Sequence, residues 1–381
     1  MRGMAMEKER ISCAETKFNL EKIQVRIKNK ILPTPFIIGS SDMIGTCAQA
    51  EQAVETGGEL IGAITWKSTT LKPTKGFNEP TVCDYNEGFL VASGMKNTGI
   101  EQTLDEIARF KKNYPDVILI VSIATMNFDD PAGELSELAK HLRHTGVDGI
   151  ELNLSCPHQV AGEKYQSKTL SQNIKSVKKI VCEVHKAIGS TELFLGVKLT
   201  GWQSDVGLIA QTAEKEGADF ITVSNIFPGI GYYTGFAEYH NGYPYKIGQP
   251  LLGNFKGGYT GKSLLPATLL IVNTVKNSVK IPVWATGGCM SSNDAMIQAF
   301  FAGASAIVSS TFYYSQDCVG SRDFYEELNE RKETLIHFMS DNHYESIQNI
   351  AAQNNKSDDI RAHTTVSELN NEINEQSKFV F

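Results

Sequence analysis

The stretch ELNLSCPH, Glu151 to His158, places a thiol at the end of an apolar run and directly before a proline. Pro157 stops an extended segment, so Cys156 falls in the loop that follows. A thiol in a partly exposed loop beside lysines can titrate low enough to take a proton, and Asn153, three residues earlier, can hold the molecule that gives it up. The alternative is that Cys156 is a small buried hydrophobe, a common fate of cysteine. His158 either assists the thiol or is a loop histidine without a role.

Other residues carry chemistry at the ends of apolar runs. Lys198 is the last but one residue of LFLGVKL, and Lys67 ends IGAITWK. A cation fixed at the end of an apolar strand suits a flavin, whose reduced ring is negative near N1 and C2, while Lys67 could do the same or meet a substrate carboxylate. Asn97, Asn153 and Asn225 each offer donors and an acceptor, the mixture that a ring of alternating N–H and C=O groups such as a pyrimidine requires. Ser40 and Ser41 close a first apolar run. Glycine-bearing segments, GGYTG at 257–261, ATGG at 285–288 and FAGASAIVSST at 301–311, supply the backbone N–H groups that hold phosphate.

These residues need elements to position them. Eight short β-branched runs, at 36–39, 61–65, 117–124, 149–154, 193–199, 219–224, 282–286 and 305–310, alternate with helical periodicity at 46–57, 101–113, 133–146, 171–188, 206–217, 263–277 and 291–303. Apolar strands covered on both faces imply a parallel sheet, and eight βα units imply an α/β fold with a single closed (β/α)8 TIM barrel, an open doubly wound sheet being the alternative. The chemistry-bearing residues then share the carboxyl end of the barrel. Insertions at 67–99 and 226–261 follow the second and sixth strands, the first reading as a hairpin over that end. An alternating segment at 14–32 reads as a hairpin plugging the other end. The expected organisation is an N-terminal segment 1–33, a barrel 34–345 and a polar helical extension 346–381.

Composition removes several classes of function. With 381 residues, 41% hydrophobic, the chain can bury a large core, and its net charge of −7 gives no general attraction to nucleic acid or an anionic membrane. Seven scattered cysteines without a C-x-x-C pair argue against disulfides, zinc or iron–sulfur clusters, so no metal site is expected. The absence of a long apolar run or signal-peptide centre indicates a cytoplasmic protein. No G-x-G-x-x-G follows the first strand, which argues against a nicotinamide site.

Taken in order, ITWKSTTLKP, ELNLSCPH, GVKL, ADFITVSN, GGYTG and WATGGCMSSNDAMIQAFFAGASAIVSST resemble the soluble, cysteine-using class of dihydroorotate dehydrogenases, from about Thr34 to Tyr344. They are also similar to the FMN barrel of dihydropyrimidine dehydrogenases. The resemblance implies an FMN-binding barrel in which Cys156 removes the C5 proton while C6 delivers hydride to flavin N5. It implies substrate contacts from Lys67, Asn97, Asn153 and Asn225. FMN contacts would come from Ser40, Lys67, Ser68, Asn153, Lys198, Gly258, Gly261, Gly287, Gly288, Ser310 and Thr311. It further implies a small soluble acceptor such as fumarate, no nucleic-acid or membrane partner, and a homodimer. His158 and Ile226 depart from the pattern of the soluble class, where Asn and a hydroxyl residue are usual. They keep open a dihydropyrimidine dehydrogenase-like or enoyl reductase; a flavoprotein like the tRNA-dihydrouridine synthases, which share the barrel and a loop cysteine, is a further alternative.

Overall fold

The computed structural model describes residues 24–58, 61–156, 158–159, 167–202, 205–235, 245–289 and 293–309. Eight parallel strands close on themselves: β1 (Phe36–Ile38), β2 (Ala63–Thr69), β3 (Leu119–Ile123), β4 (Gly149–Asn153), β5 (Phe194–Lys198), β6 (Phe220–Val223), β7 (Val283–Thr286) and β8 (Ala306–Ser309). The final pairing, Ser309 with Ile38, joins β8 to β1 and completes the (β/α)8 barrel expected from the sequence. Each of the first seven strands is followed by a helix, α1 (Cys47–Gly57), α2 (Gly99–Asn113), α3 (Pro131–Leu142), α4 (Ile174–Ile188), α5 (Val206–Lys215), α6 (Leu265–Lys276) and α7 (Asn293–Phe301). Among the described residues no helix is long and apolar enough to cross a membrane.

Local chemistry sets these boundaries. The Thr46, Asp130 and Asn173 side chains accept from backbone N–H groups in the first turns of α1, α3 and α4, satisfying donors a helix start leaves unpaired. In α4 the buried positions Val177, Ile180, Val181, Val184 and Ile188 recur at helical spacing and turn one stripe onto the barrel.

One end of the barrel is closed by an antiparallel hairpin, Val25–Ile27 with Lys30–Leu32. Its Val25, Ile27 and Leu32 cluster with inward residues of the strands, among them Ile37, Ala63, Ile120, Phe194, Phe220 and Trp284. Gly149 and Gly196 make room for this plug: a Cβ on either would lie 2.2 Å or 1.9 Å from the rings of Phe194 and Phe220. Lys30 pairs with Asp148 at 3.0 Å and Lys28 donates to the carbonyl of Leu193 at 3.2 Å, fastening the hairpin to the amino ends of the strands. The hairpin occupies 25–32 of the expected 14–32; residues 1–23 lie outside the described residues, as does the expected extension 346–381.

At the opposite end the two insertions meet in one sheet. Strands Val82–Tyr85 and Gly88–Val91 form the expected hairpin, and Gly257–Gly261 and Phe227–Gly229 add to its edge. A small apolar cluster of Cys83, Leu90, Ala92, Leu251 and Leu252, flanked by four tyrosines, holds it together. GGYTG is therefore largely a strand rather than the glycine-rich turn its composition suggests. Its alternating partners, Tyr259 opposite Leu90 and opposite Phe227, make it the centre of the sheet.

Candidate active site

The carboxyl ends of the strands open on a cavity of about 170 Å³ lined by Ser40, Lys67, Ser68, Asn153, Cys156, Lys198, Asn225, Ile226, Thr286 and Gly287, among others. Neighbouring residues of a strand normally face opposite ways, yet Lys67 and Ser68 both reach this cavity. The register of β2 against β3 shifts between Trp66 and Thr69, and that irregularity turns consecutive side chains to one side. Lys67 is ion-paired with Asp42, another cavity residue.

A chain of hydrogen bonds runs round the cavity wall. The backbone N–H of Ile226 donates to Asn225 Oδ1 at 2.9 Å; Asn225 Nδ2 donates to Ser155 Oγ at 2.7 Å; Ser155 Oγ donates to Asn153 Oδ1 at 2.9 Å; and Asn153 Nδ2 donates to Ser68 Oγ at 3.0 Å. Ser68 Oγ also lies 2.8 Å from Ser122 Oγ. A backbone N–H can only donate, so Asn225 must turn its oxygen to Ile226 and its amine to Ser155. Ser155 has one hydrogen and spends it on Asn153, whose amine must then face Ser68. One peptide group thus fixes the orientation of both asparagine amides. Ser155 was not among the residues singled out from the sequence, although it adjoins Cys156 and sits two places from Asn153, close enough for a hydroxyl to bond back to that side chain.

Lys198 ends β5, paired in register with Asn153 on one side and Thr222 on the other. It is only 7% exposed and its ammonium has no hydrogen-bond or ion-pair partner among the described residues, while its side chain lines the cavity. A buried, uncompensated ammonium is costly unless a partner satisfies it, so this position fits a ligand with electron-rich oxygen or nitrogen, as a flavin N1–C2 edge provides. Beneath it the barrel interior stays polar: Thr222 donates to Glu151 at 2.8 Å, and Glu151 is buried.

Cys156 is partly exposed at the cavity wall. Burial nevertheless pushes its thiol up to about 11, with Lys198 pulling the other way. The sequence suggested a thiol titrating low beside lysines; desolvation exceeds the nearby positive charge. Lys67 moves in the complementary sense, drawn down to about 8 by burial and by Lys96.

Not every expected residue joins this cavity. Asn97 uses its amide within its own loop, donating to Met95 O at 2.7 Å and Thr70 Oγ1 at 2.9 Å and accepting from Gly99 N at 2.8 Å. It lines a neighbouring cavity of about 520 Å³ instead. Gly287 and Gly288 lie in the left-handed region, at φ 107° and 78°, and a Cβ on Gly288 would sit 3.0 Å from Lys262 O and 3.1 Å from Gly261 O. Close backbone approach therefore brings the ATGG turn against the end of GGYTG. Gly258 lies under Ile226, whose Cδ1 would be 2.2 Å from an added Cβ. Ser310 and Thr311 are outside the described residues. So are Pro157 and the side chain of His158, whose backbone pairs with Lys168.

A closed barrel with a cation, a thiol and oriented amides at its carboxyl end is the architecture of a cofactor-dependent barrel enzyme. The chain matches the family model of dihydroorotate dehydrogenase over residues 22–331, and it belongs to that family. It is 30% identical over 289 residues to dihydroorotate dehydrogenase A (fumarate) of Limosilactobacillus reuteri, covering 75% of this chain and 86% of the relative. It is 29% identical over 286 residues to the catalytic subunit of dihydroorotate dehydrogenase B (NAD(+)) of Methanothermobacter thermautotrophicus, covering 75% and 85%. With the corresponding fumarate-type protein of Lacticaseibacillus paracasei it shares 33% identity over 263 residues, 68% of this chain and 82% of the relative. Members of this family are oxidoreductases that act on CH–CH bonds with a bound flavin.

Proposed function

We propose that the chain is an FMN-dependent enzyme that oxidises dihydroorotate to orotate. The observation that carries this reading is the shared cavity of Cys156, the buried and unpartnered Lys198, and the oriented amides of Asn153 and Asn225. When bound, the flavin supplies the acceptor for the hydride that leaves C6 of the substrate.

The protein's own groups do the rest. Lys198 would meet the electron-rich edge of the flavin ring, and the backbone of the ATGG turn would hold the single phosphate of FMN. Asn153 and Asn225 each keep a second amine hydrogen for the pyrimidine carbonyls, so the ring is held in one orientation. Cys156 Sγ takes the proton from C5, breaking the C5–H bond as the C5–C6 double bond forms. Lys67 supplies positive charge for the substrate carboxylate. Asn97, committed to Thr70 and Met95, shapes the loop rather than touching the ring.

Electrons leave to a small soluble acceptor, fumarate being supported by the fumarate-type relatives, in a cytoplasmic homodimer. The test is anaerobic titration of the FMN-loaded protein with dihydroorotate and with dihydrouracil. Bleaching by dihydroorotate supports the reading; a protein that takes up no flavin, or whose flavin dihydroorotate leaves oxidised, refutes it.

A further inference from the structure

Cys156 and Ile226 line not one cavity but two. On their far side lies a second space of about 560 Å³, sharing the wall formed by Val91, Ser93, Met95, Cys156 and Ile226 with the ring cavity. Resting on the dihydropyrimidine reading above, we infer that this space is a second subsite and that the substrate is a dihydropyrimidine carrying an apolar substituent.

The two cavities are chemically segregated. Lys67, Lys198 and the amides of Asn153 and Asn225 line the first, whereas Phe77, Met126, Phe128, Pro228 and Ile230 make up most of the side-chain wall of the second. Three of these, Phe77 at 36%, Met126 at 44% and Ile230 at 38%, stay exposed, an uncommon concentration of uncovered apolar side chains at one opening. Its polar side chains are Ser93, Asn254 and Lys256, of which Asn254 donates to Lys256 O at 3.2 Å.

The shared wall is built to be apolar. Asn97 spends its amide in its own loop, so the first insertion presents Val91 and Met95 to the site. Met95 holds φ at 60°, a backbone region that residues with a Cβ rarely adopt and that is retained where position matters. Ile226 is pinned against Gly258, with no space for a Cβ between them. Its side chain therefore stays at the junction of the cavities. Dihydroorotate would fill the polar part alone; an alkyl or aryl group would displace water from the apolar part.

The experiment titrates FMN-loaded protein with orotate and with its C5-alkylated homologues from methyl to butyl, reading the perturbation of the flavin spectrum. Each added methylene is expected to tighten binding by about fourfold, from roughly 0.8 kcal/mol per buried CH₂. Met126→Asp, at a position 44% exposed, should abolish that gain. Homologues that bind no tighter than orotate overturn the inference while leaving dihydroorotate oxidation standing. Perturbation by a naphthoquinone without any gain from alkylation also overturns it, assigning the space to an apolar electron acceptor. A flavin that neither orotate nor any homologue perturbs, and dihydroorotate does not bleach, overturns both readings.

Discussion

The Ser155 hydroxyl stands between Asn153 and Asn225, donating to the first at 2.9 Å and accepting from the second at 2.7 Å. It is 1% exposed, so water cannot substitute freely for it. Ser155→Ala removes both bonds, leaving Asn153 Oδ1 without its donor and the Asn225 amine without its acceptor, while Ile226 still holds Asn225 Oδ1. Leaving a buried polar group unpaired costs about 1–3 kcal/mol, so ligand affinity should fall roughly tenfold to a hundredfold. Because the amides orient the ring, the loss should appear in KM and in the Kd for orotate. A variant with unaltered KM and Kd would show that Ser155 does not set their orientation.

Cys156 sits at a wall where burial raises its thiol to about 11. As the proposed base it acts as thiolate, whose fraction grows with pH below that value. Flavin reduction should therefore rise about tenfold per pH unit from neutral into the alkaline range, before flattening near the thiol's own value. Cys156→Ala should slow that reduction by about 10²–10⁴-fold. Stopped-flow absorbance of the flavin measures both effects. A pH-independent rate with wild-type protein would assign the proton to another group.

The barrel was legible because its signal is repeated. Eight β-branched runs separated by helical periods specify one closed sheet, and each expected strand overlaps an observed one. That Asn153, Lys198 and Asn225 line one cavity was legible for the same reason: a strand's carboxyl end has one place to face. Asn97 was not, since it comes from an insertion where no periodicity says which way a side chain turns, and Thr70 and Gly99 claim it. The union of the insertions in one sheet was equally hidden, because Leu90 and Tyr259 pair across a long stretch of sequence. Ser155 lies within ELNLSCPH, but its bond to Asn225 spans 70 residues, and the apolar second cavity exists only through contacts among distant segments.

Lys198 lacks a partner among the described residues although it is buried. Removing it should cost the flavin a charge-assisted contact of about 1.5–3 kcal/mol, weakening FMN binding roughly tenfold to a hundredfold in Lys198→Ala. The same substitution also removes an unsatisfied charge from the protein without ligand, so its Tm in the absence of FMN should hold or rise. Fluorescence titration and calorimetry read the two effects separately. A variant that keeps FMN affinity would remove Lys198 from the cofactor's contacts.

Leu32 is fully buried in the hairpin that plugs the far end of the barrel. Leu32→Ala would open a cavity against the rings of Phe194, Phe220 and Trp284, costing about 2–5 kcal/mol. The plug lies at the strand ends opposite the site. Chemical denaturation should show the loss in midpoint while the orotate Kd of the folded protein holds. A changed Kd would mean that the plug and the site are coupled through the barrel.

Lys67 is the group whose charge should set how binding of an anionic ligand depends on pH. Burial and the repulsion of Lys96 draw it down to about 8, while its partner Asp42 favours the ammonium below that value. A lowered value means that the cation is present at neutral pH and lost as pH rises past about 8, well before an ordinary lysine would titrate. Once Lys67 is neutral, the cavity loses the cation that attracts a carboxylate while the negative charge of Asp42 remains. Orotate affinity should therefore fall on going from pH 7 to pH 9.5, while uracil, which lacks the carboxylate, should lose less until its own ring ionises. Lys67→Arg keeps its charge throughout that range and should flatten the orotate curve. Parallel titrations of the flavin spectrum with both ligands, in wild type and variant, decide it. An orotate curve as steep in the arginine variant as in the wild type would place the carboxylate away from Lys67.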